Sequence, residues 1–164
     1  MTTDTTNLMI YTALQQAYVL LDDGDRRALR AVGLTPTQYN LLARLGERSS
    51  AGMTITELSQ ALLCTRGNIT RLVRRLEQQM LVRCGGDQRD QRLVRVSLTP
   101  QGADRLAEAK TAHTTSIQRR LGALDSATLQ QLRRLTETVV ELLTADLAAQ
   151  ASVSSIEESE AIEQ

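Results

Sequence analysis

Three helix starts crowded between Thr35 and Thr65 restrict the fold of this chain more than any other feature. Thr35 precedes Pro36 at a first helical position, and Gln38 completes a capping box, in which side chains and backbone N–H groups of the first turn satisfy one another. Thr54 and Glu57 repeat the device for a short helix running to about Leu63, after the loop residues SSAG at 49–52. Past Cys64, Thr65 caps a third helix, RGNITRLVRRLEQQ.

That third helix has two unlike faces. Ile69, Leu72, Val73 and Leu76 follow the i, i+3, i+4, i+7 spacing of an inward apolar stripe. Gly67, Asn68, Arg71, Arg74 and Arg75 fall on the opposite side, which reads as a cationic, hydrogen-bonding surface. Two β-rich runs follow, LVRC and LVRVSL, and form a hairpin that is marginal alone and must lean on helices. From 36 to 98 the order is therefore helix, short helix, turn, basic helix, two-stranded hairpin, the layout of a winged helix-turn-helix.

The expected fold class is mainly α with a small β-hairpin, the winged helix-turn-helix lying between long N- and C-terminal helices. The division is an N-terminal helix at 1–34, the winged module at 35–99, C-terminal helices at 100–149 and an acidic tail at 150–164 expected to be flexible. Ile10, Leu14, Ala17, Tyr18 and Leu21 define the first helix, with an interruption expected near Asp22-Asp23-Gly24-Asp25. Thr99-Pro100 opens a helix reaching Leu121, and Asp125 caps a last one ending near Ala149. With neither Phe nor Trp, the core must be built from Leu, Val, Ile and Ala, which favours helices. Two long helices beyond the needs of a small module are what a dimer interface requires.

No apolar run approaches the roughly 20 residues of a membrane span, and the polar start lacks a basic signal flank, so a soluble, cytoplasmic protein is expected with no membrane partner. Two cysteines and one histidine make neither a disulfide framework nor an ordinary zinc cluster, so no metal and no cofactor are expected. An enzyme is not expected either: there is no Gly-rich phosphate loop and no nucleophile motif with its base.

The formal net charge is zero, but it is unevenly spread. Residues 66–95 hold eight arginines against Glu77, Asp87 and Asp90, a local charge of +5, while 151–164 carry four glutamates and no base. A polyanion would bind the first segment and be repelled by the second. Double-stranded DNA is the expected partner. An α-helix fits the major groove, and side chains from its N-terminal half reach base edges. Thr65, Arg66, Gly67, Asn68, Thr70 and Arg71 occupy that half, with Arg and Asn the types that pair bidentately with guanine and adenine. Arg74 and Arg75, a turn further on, suit phosphates. Beside the helix, the hairpin loop at 85–92 would approach the minor groove, whose negative potential attracts an inserted Arg89 or Arg92, with Asp87 and Asp90 ordering the guanidinium groups.

The stretches TITELSQALLCTRGNITRLVRRLEQQMLV and DQRDQRLVRVSLTPQG resemble the MarR (multiple antibiotic resistance regulator) family over about residues 8–147. Asp87, Arg89, Asp90 and Arg92 fit its D-x-R-D-x-R wing signature, and Leu98, Thr99 and Gly102 its L-T-x-x-G helix entry. The resemblance implies a homodimer with interlocked first and last helices, a recognition helix at 66–79, Arg92 as the inserted wing residue and Asp90 as its orienting partner. It also implies a sequence-specific regulator, most often a repressor, that responds to a small aromatic or phenolic effector in a cleft which Tyr18, Tyr39, Arg44 or His113 would line. Met80 departs from the family, which often has Gly there. A left-handed Met would cost on the order of 1 kcal/mol, so a different helix end is expected.

Two alternatives to a DNA-binding regulator remain at this level. The winged module could be a protein-interaction adaptor whose basic face meets an acidic partner. Cys64 or Cys84 could make the regulator a thiol-based redox sensor, Cys84 if nearby arginines lower its pKa. Cys64, in the turn before the basic helix, reads as a small buried hydrophobe. His113 aligns with Leu106 and Ile117 at the edge of an apolar face.

Overall fold

The structure, a computed structural model, describes residues 3–48, 52–86 and 93–162. Its elements are α1 (Thr3–Arg30), α2 (Pro36–Glu47), β1 (Met53–Thr54), α3 (Ile55–Ala61), α4 (Arg66–Gln78), β2 (Val82–Gly86), β3 (Val94–Leu98), α5 (Pro100–Leu121) and α6 (Ser126–Ile162). They fall into two compact units, Met1–Arg119 and Arg120–Gln164. The first holds the winged helix-turn-helix together with α1 and most of α5; the second is essentially α6.

Each expected helix start is a formed cap. Thr35 and Gln38 close a full capping box on α2, Thr54 and Glu57 close another on α3, and the Thr65 hydroxyl accepts from the Asn68 N–H to start α4. The Glu57 carboxyl is held below its ordinary pKa, chiefly by the Thr54 backbone N–H, with Arg95 and Arg48 adding to the effect against some desolvation.

Two helix calls are corrected. The Asp22-Asp23-Gly24-Asp25 stretch does not interrupt α1, because Asp22 pairs with Arg26 at 2.7 Å and Asp23 with Arg27 at 2.9 Å, both at i,i+4 along one continuous helix. The last helix does not stop near Ala149: α6 continues to Ile162, and no Gly or Pro follows Gly122 to end it. The sheet also gains a strand. β1 pairs antiparallel with β3 at Met53↔Val96 and Thr54↔Arg95, giving the order β1-β3-β2. β2 pairs with β3 from Val82↔Leu98 to Gly86↔Val94, as the expected hairpin requires.

The core is aliphatic, as the missing aromatics dictate: Leu41, Leu42 and Leu45 of α2, Leu58 of α3, Ile69, Val73 and Leu76 of α4, and Val82 and Val96 of the sheet are all buried. Burying each such side chain stabilises by roughly 1.5–3 kcal/mol, and this fastens α4 by one face only. Gly102 decides how α5 joins. A Cβ there would strike the Leu81 carbonyl, the same carbonyl that accepts the Thr99 N–H at 3.1 Å. The glycine of the L-T-x-x-G segment is thus the residue that lets α5 start against the end of α4.

Three helices end in the same paired-bond turn, with a left-handed residue just past the cap. Gly33 serves α1, but Leu63 (φ 50°) serves α3 and Met80 (φ 58°) serves α4. At α4, the Met80 N–H reaches the Glu77 carbonyl and the Leu81 N–H reaches the Leu76 carbonyl. The helix end expected to differ at Met80 is therefore the ordinary one, carried by a residue with a Cβ. Thr99 Oγ1 donates to the Met80 carbonyl and accepts from the Gly102 N–H, which holds the turn in place. Met80 is exposed, so its side chain contributes little packing. Met80→Gly is expected to stabilise the protein by about 0.5–1 kcal/mol, the left-handed strain relieved less the entropy glycine adds to the unfolded chain. A melting curve checks it: the variant should unfold a few degrees higher.

Candidate nucleic-acid interface

The outward side of α4 is laid out as its sequence pattern requires. Arg66, Gly67, Asn68, Arg71, Arg74 and Arg75 are all exposed, opposite the buried Ile69, Val73 and Leu76. Leu72 is half-buried at the edge of the core. These four arginines cluster on one helix face without a carboxylate partner among the described residues. Arg26, Arg27, Arg44, Arg95, Arg105 and Arg133 each ion-pair with a carboxylate, whereas among the described residues none of the four arginines of α4 does. The fixed charge on this face is left for an external anion.

Local hydrogen bonds sort the candidates. Arg71 Nη2 donates to Asn68 Oδ1 at 2.6 Å, one turn apart on the helix, so the guanidinium fork is already oriented. This makes Asn68 a positioning partner for Arg71 as well as a candidate base reader. The Thr65 hydroxyl is engaged in capping, and Thr70 is half-buried with its hydroxyl donating to the Arg66 carbonyl at 2.8 Å. Neither hydroxyl is as available as sequence position suggested. Gly67 faces open space: a Cβ there would meet nothing within 4 Å.

Of the four hairpin arginines, Arg83 and Arg95 are among the described residues. Arg83 Nε donates across the ladder to Ser97 Oγ at 3.1 Å, and Arg95 reaches back to the Gly52 carbonyl at 3.3 Å and to Glu57 at 3.7 Å. Both brace the sheet. Arg89, Asp90 and Arg92, with Asp87, lie outside the described residues, as do Ser49, Ser50 and Ala51 of the expected loop. Gly85 and Gly86 end β2 in the open, with no neighbour that a Cβ would meet.

Cys84 sits where its N–H bonds Glu77 Oε1 at 3.2 Å. Partial burial, then the Glu77 carboxylate, push its thiol pKa up, the reverse of the lowering that neighbouring arginines would cause. Cys64 is half-buried and packs against the core, as expected.

Of the four residues expected to line an effector cleft, Tyr39 and His113 come together. Their rings lie 4.8 Å apart at 57°, where α2 meets α5. Asp25 of α1, which the sequence did not single out, completes this junction at 3.2 Å from His113 Nε2. Burial, then the Asp25 charge, raise the Tyr39 pKa. Tyr18 is exposed on α1, and Arg44 pairs with Glu47 at 3.1 Å on α2. Among the described residues no group of acidic, histidine and cysteine side chains is arranged to hold a metal, and no helix is long and apolar enough to cross a membrane.

Comparison with known proteins agrees with this architecture. The MarR family model matches residues 32–93, from the turn before α2 to the start of β3. The transcriptional activatory protein BadR of Rhodopseudomonas palustris is 33% identical over 94 residues, 57% of this chain and 54% of BadR. The match thus spans about half of that relative's length. AbsC of Streptomyces coelicolor, a MarR family transcriptional regulator, is 25% identical, with a TM-score of 0.77 over 88% of this chain and 98% of its own. The transcriptional repressor CouR, determined bound to a 23-mer DNA duplex, is 25% identical with a TM-score of 0.75, covering 84% of this chain and 96% of CouR.

The described elements of the first unit form a winged helix-turn-helix. Its winged module, residues 32–93, is similar to the MarR family.

The Cys84 environment gives a pH prediction. A raised pKa keeps the thiol protonated up to higher pH than a free cysteine, so its alkylation by iodoacetamide should begin only at more alkaline pH. Glu77→Gln removes the opposing charge and should shift that rate profile toward neutral pH. A wild-type profile at or below that of free cysteine would contradict the assignment.

Proposed function

We propose that the protein is a sequence-specific transcriptional regulator that binds a pseudo-palindromic duplex operator as a homodimer, with α4 in the major groove and the 85–92 wing at the minor groove. The observation that carries this reading is the face of α4: exposed arginines without carboxylate partners among the described residues, one of them already oriented by Asn68. CouR, of similar fold and sequence, is a repressor seen on a DNA duplex, which supports the same use here. Arg71 reads base edges, Arg74 and Arg75 hold phosphates, and Arg92 enters the minor groove with Asp90 orienting it.

Pairing of two copies is supported by apolar surface that each terminal helix leaves to solvent. Leu8, Ile10, Leu14, Tyr18 and Leu21 are exposed on α1, and Leu132, Leu135, Leu142 and Leu143 on α6. Covering such stripes with a second copy removes them from water. Two-fold pairing then sets the recognition helices about 34–36 Å apart, one turn of DNA. In this reading the protein is cytoplasmic, has no enzymatic activity and needs no cofactor.

Response to a small effector completes the proposal. An aromatic or phenolic molecule stacks beside Tyr39 and His113, and a ligand favouring a dimer geometry with the wrong helix spacing releases the operator. The Asp25 carboxylate at that junction favours a neutral phenol over an anion, narrowing the class implied by family resemblance. BadR is an activatory protein and CouR a repressor, so the position of the operator relative to the promoter sets the sign of regulation; repression is the reading adopted here.

Binding to the duplex upstream of its own gene, measured against random duplex at several salt concentrations, tests the proposal. Specific duplex should bind more tightly, with affinity falling steeply as salt rises. Arg74→Ala should weaken both duplexes alike and flatten the salt slope by about two units, one for each protomer of the homodimer. Equal weak binding to both duplexes, or a basic face that captures only acidic protein, would favour the adaptor reading instead.

Gly67→Ala separates contact from folding. Alanine fits without collision and should stabilise α4 by about 0.5–1 kcal/mol. The same methyl group should lower operator affinity by standing between the helix backbone and the DNA, whereas unchanged affinity would remove Gly67 from the interface.

A further inference from the structure

A groove of about 450 Å³ opens between the first turn of α2 and the outer side of α4, lined by Thr37, Asn68, Arg71, Leu72 and Arg75 together with the half-buried Cys64. Two guanidinium groups share it, and neither has a carboxylate partner among the described residues. Asn68 fixes Arg71 at the side of the groove toward the start of α4. Thr37 stands across from them on α2, outside the helix-turn-helix itself, and is exposed.

The position of Thr37 relative to α4 is set by its neighbour. Gln38 is 4% exposed, accepts the Thr35 N–H through Oε1 at 2.9 Å and donates through Nε2 to Gln79 Oε1 at 3.3 Å, at the far end of α4. The first turn of α2 is therefore tied to α4 by a part-buried hydrogen bond between Gln38 and Gln79.

We propose that this groove seats one phosphodiester of the bound DNA strand, with the Thr37 hydroxyl donating to a phosphate oxygen whose charge Arg75 offsets. The inference rests on the reading that α4 engages duplex DNA and adds to it a residue from α2. Two uncompensated cations and a neutral hydroxyl around one opening match a singly charged, tetrahedral oxyanion better than an apolar ligand. Because the phosphate touches both helices, it fixes the angle at which α4 enters the groove. Thr37 is thus a positioning contact that carries no sequence information.

The test uses the full-length protein and a random-sequence duplex of about 30 base pairs, roughly three helical turns, since a phosphate contact needs no operator. Thr37→Val keeps the branched shape and removes the hydroxyl; it should bind about 10–100-fold more weakly, the worth of one hydrogen bond in each protomer of the homodimer, with the salt slope unchanged because no charge is lost. Thr37→Ser, which retains the hydroxyl, should bind within about twofold of wild type. Since Thr37 and Arg75 share one phosphate, their losses should not multiply: the double variant Thr37→Val/Arg75→Ala should bind within about twofold of Arg75→Ala alone. Wild-type affinity in Thr37→Val, failure of Thr37→Ser to restore binding, or fully multiplicative losses would each overturn the proposal while leaving the DNA-binding reading intact. Wild-type protein that binds no duplex even at low salt would overturn both.

Discussion

Everything in the first unit depends on α4 being anchored by one face while its arginines stay unneutralised on the other. Ile69, Val73 and Leu76 sink into an aliphatic core, and that burial is what holds four like charges on one short helix against solvent and one another. Arg26, Arg27 and Arg133, by contrast, are neutralised at close range through i,i+4 pairs on α1 and α6, and Arg95 across elements by Glu57. Four arginines gathered on one exposed helix face without carboxylate partners among the described residues direct that surface toward an outside anion.

The ends of α4 are held as firmly as its middle. At its start the Thr65 cap and the left-handed Leu63 set the turn from α3; at its end Met80, Thr99 and Gly102 join it to α5, and Gln79 joins it to α2 through Gln38. The recognition helix is thus tied to the two helices that carry Tyr39 and His113. A change at the Asp25, Tyr39 and His113 junction has a short covalent and hydrogen-bonded route to α4, Tyr39 being the residue after Gln38. This is a statement about connected parts, and a measured coupling between effector and DNA would give it energetic content.

Helix starts were legible in the sequence because capping is local: Thr35 with Gln38, Thr54 with Glu57, and Thr65 announce themselves within one turn. The two faces of α4 were legible for the same reason, through helical period. Features that depend on distant partners were not. β1 is two residues long and doubles as the cap of α3, so it shows no alternation to read. Asp25 gained its role only when folding brought α1 to His113, and Arg95, which enters the sequence reading only as one of eight arginines in 66–95, is held by Gly52 and Glu57 through β1 and α3. The continuity of α1 is readable in principle from the i,i+4 spacing of Asp22 with Arg26 and Asp23 with Arg27, which carries the helix through Gly24. The resemblance of the 87–92 segment to a wing signature bears on residues outside those described, and its support comes from the match of residues 32–93 to the family.

The most direct check on the bare arginine face is residue-resolved protection of guanidinium groups. Phenylglyoxal labelling of the full chain, with and without its upstream duplex and read out by mass spectrometry, measures it without any substitution. Arg66, Arg71, Arg74 and Arg75 should lose reactivity when DNA is present, while Arg26, Arg27 and Arg133 keep theirs. Uniform protection along the chain, or none on α4, would contradict the account.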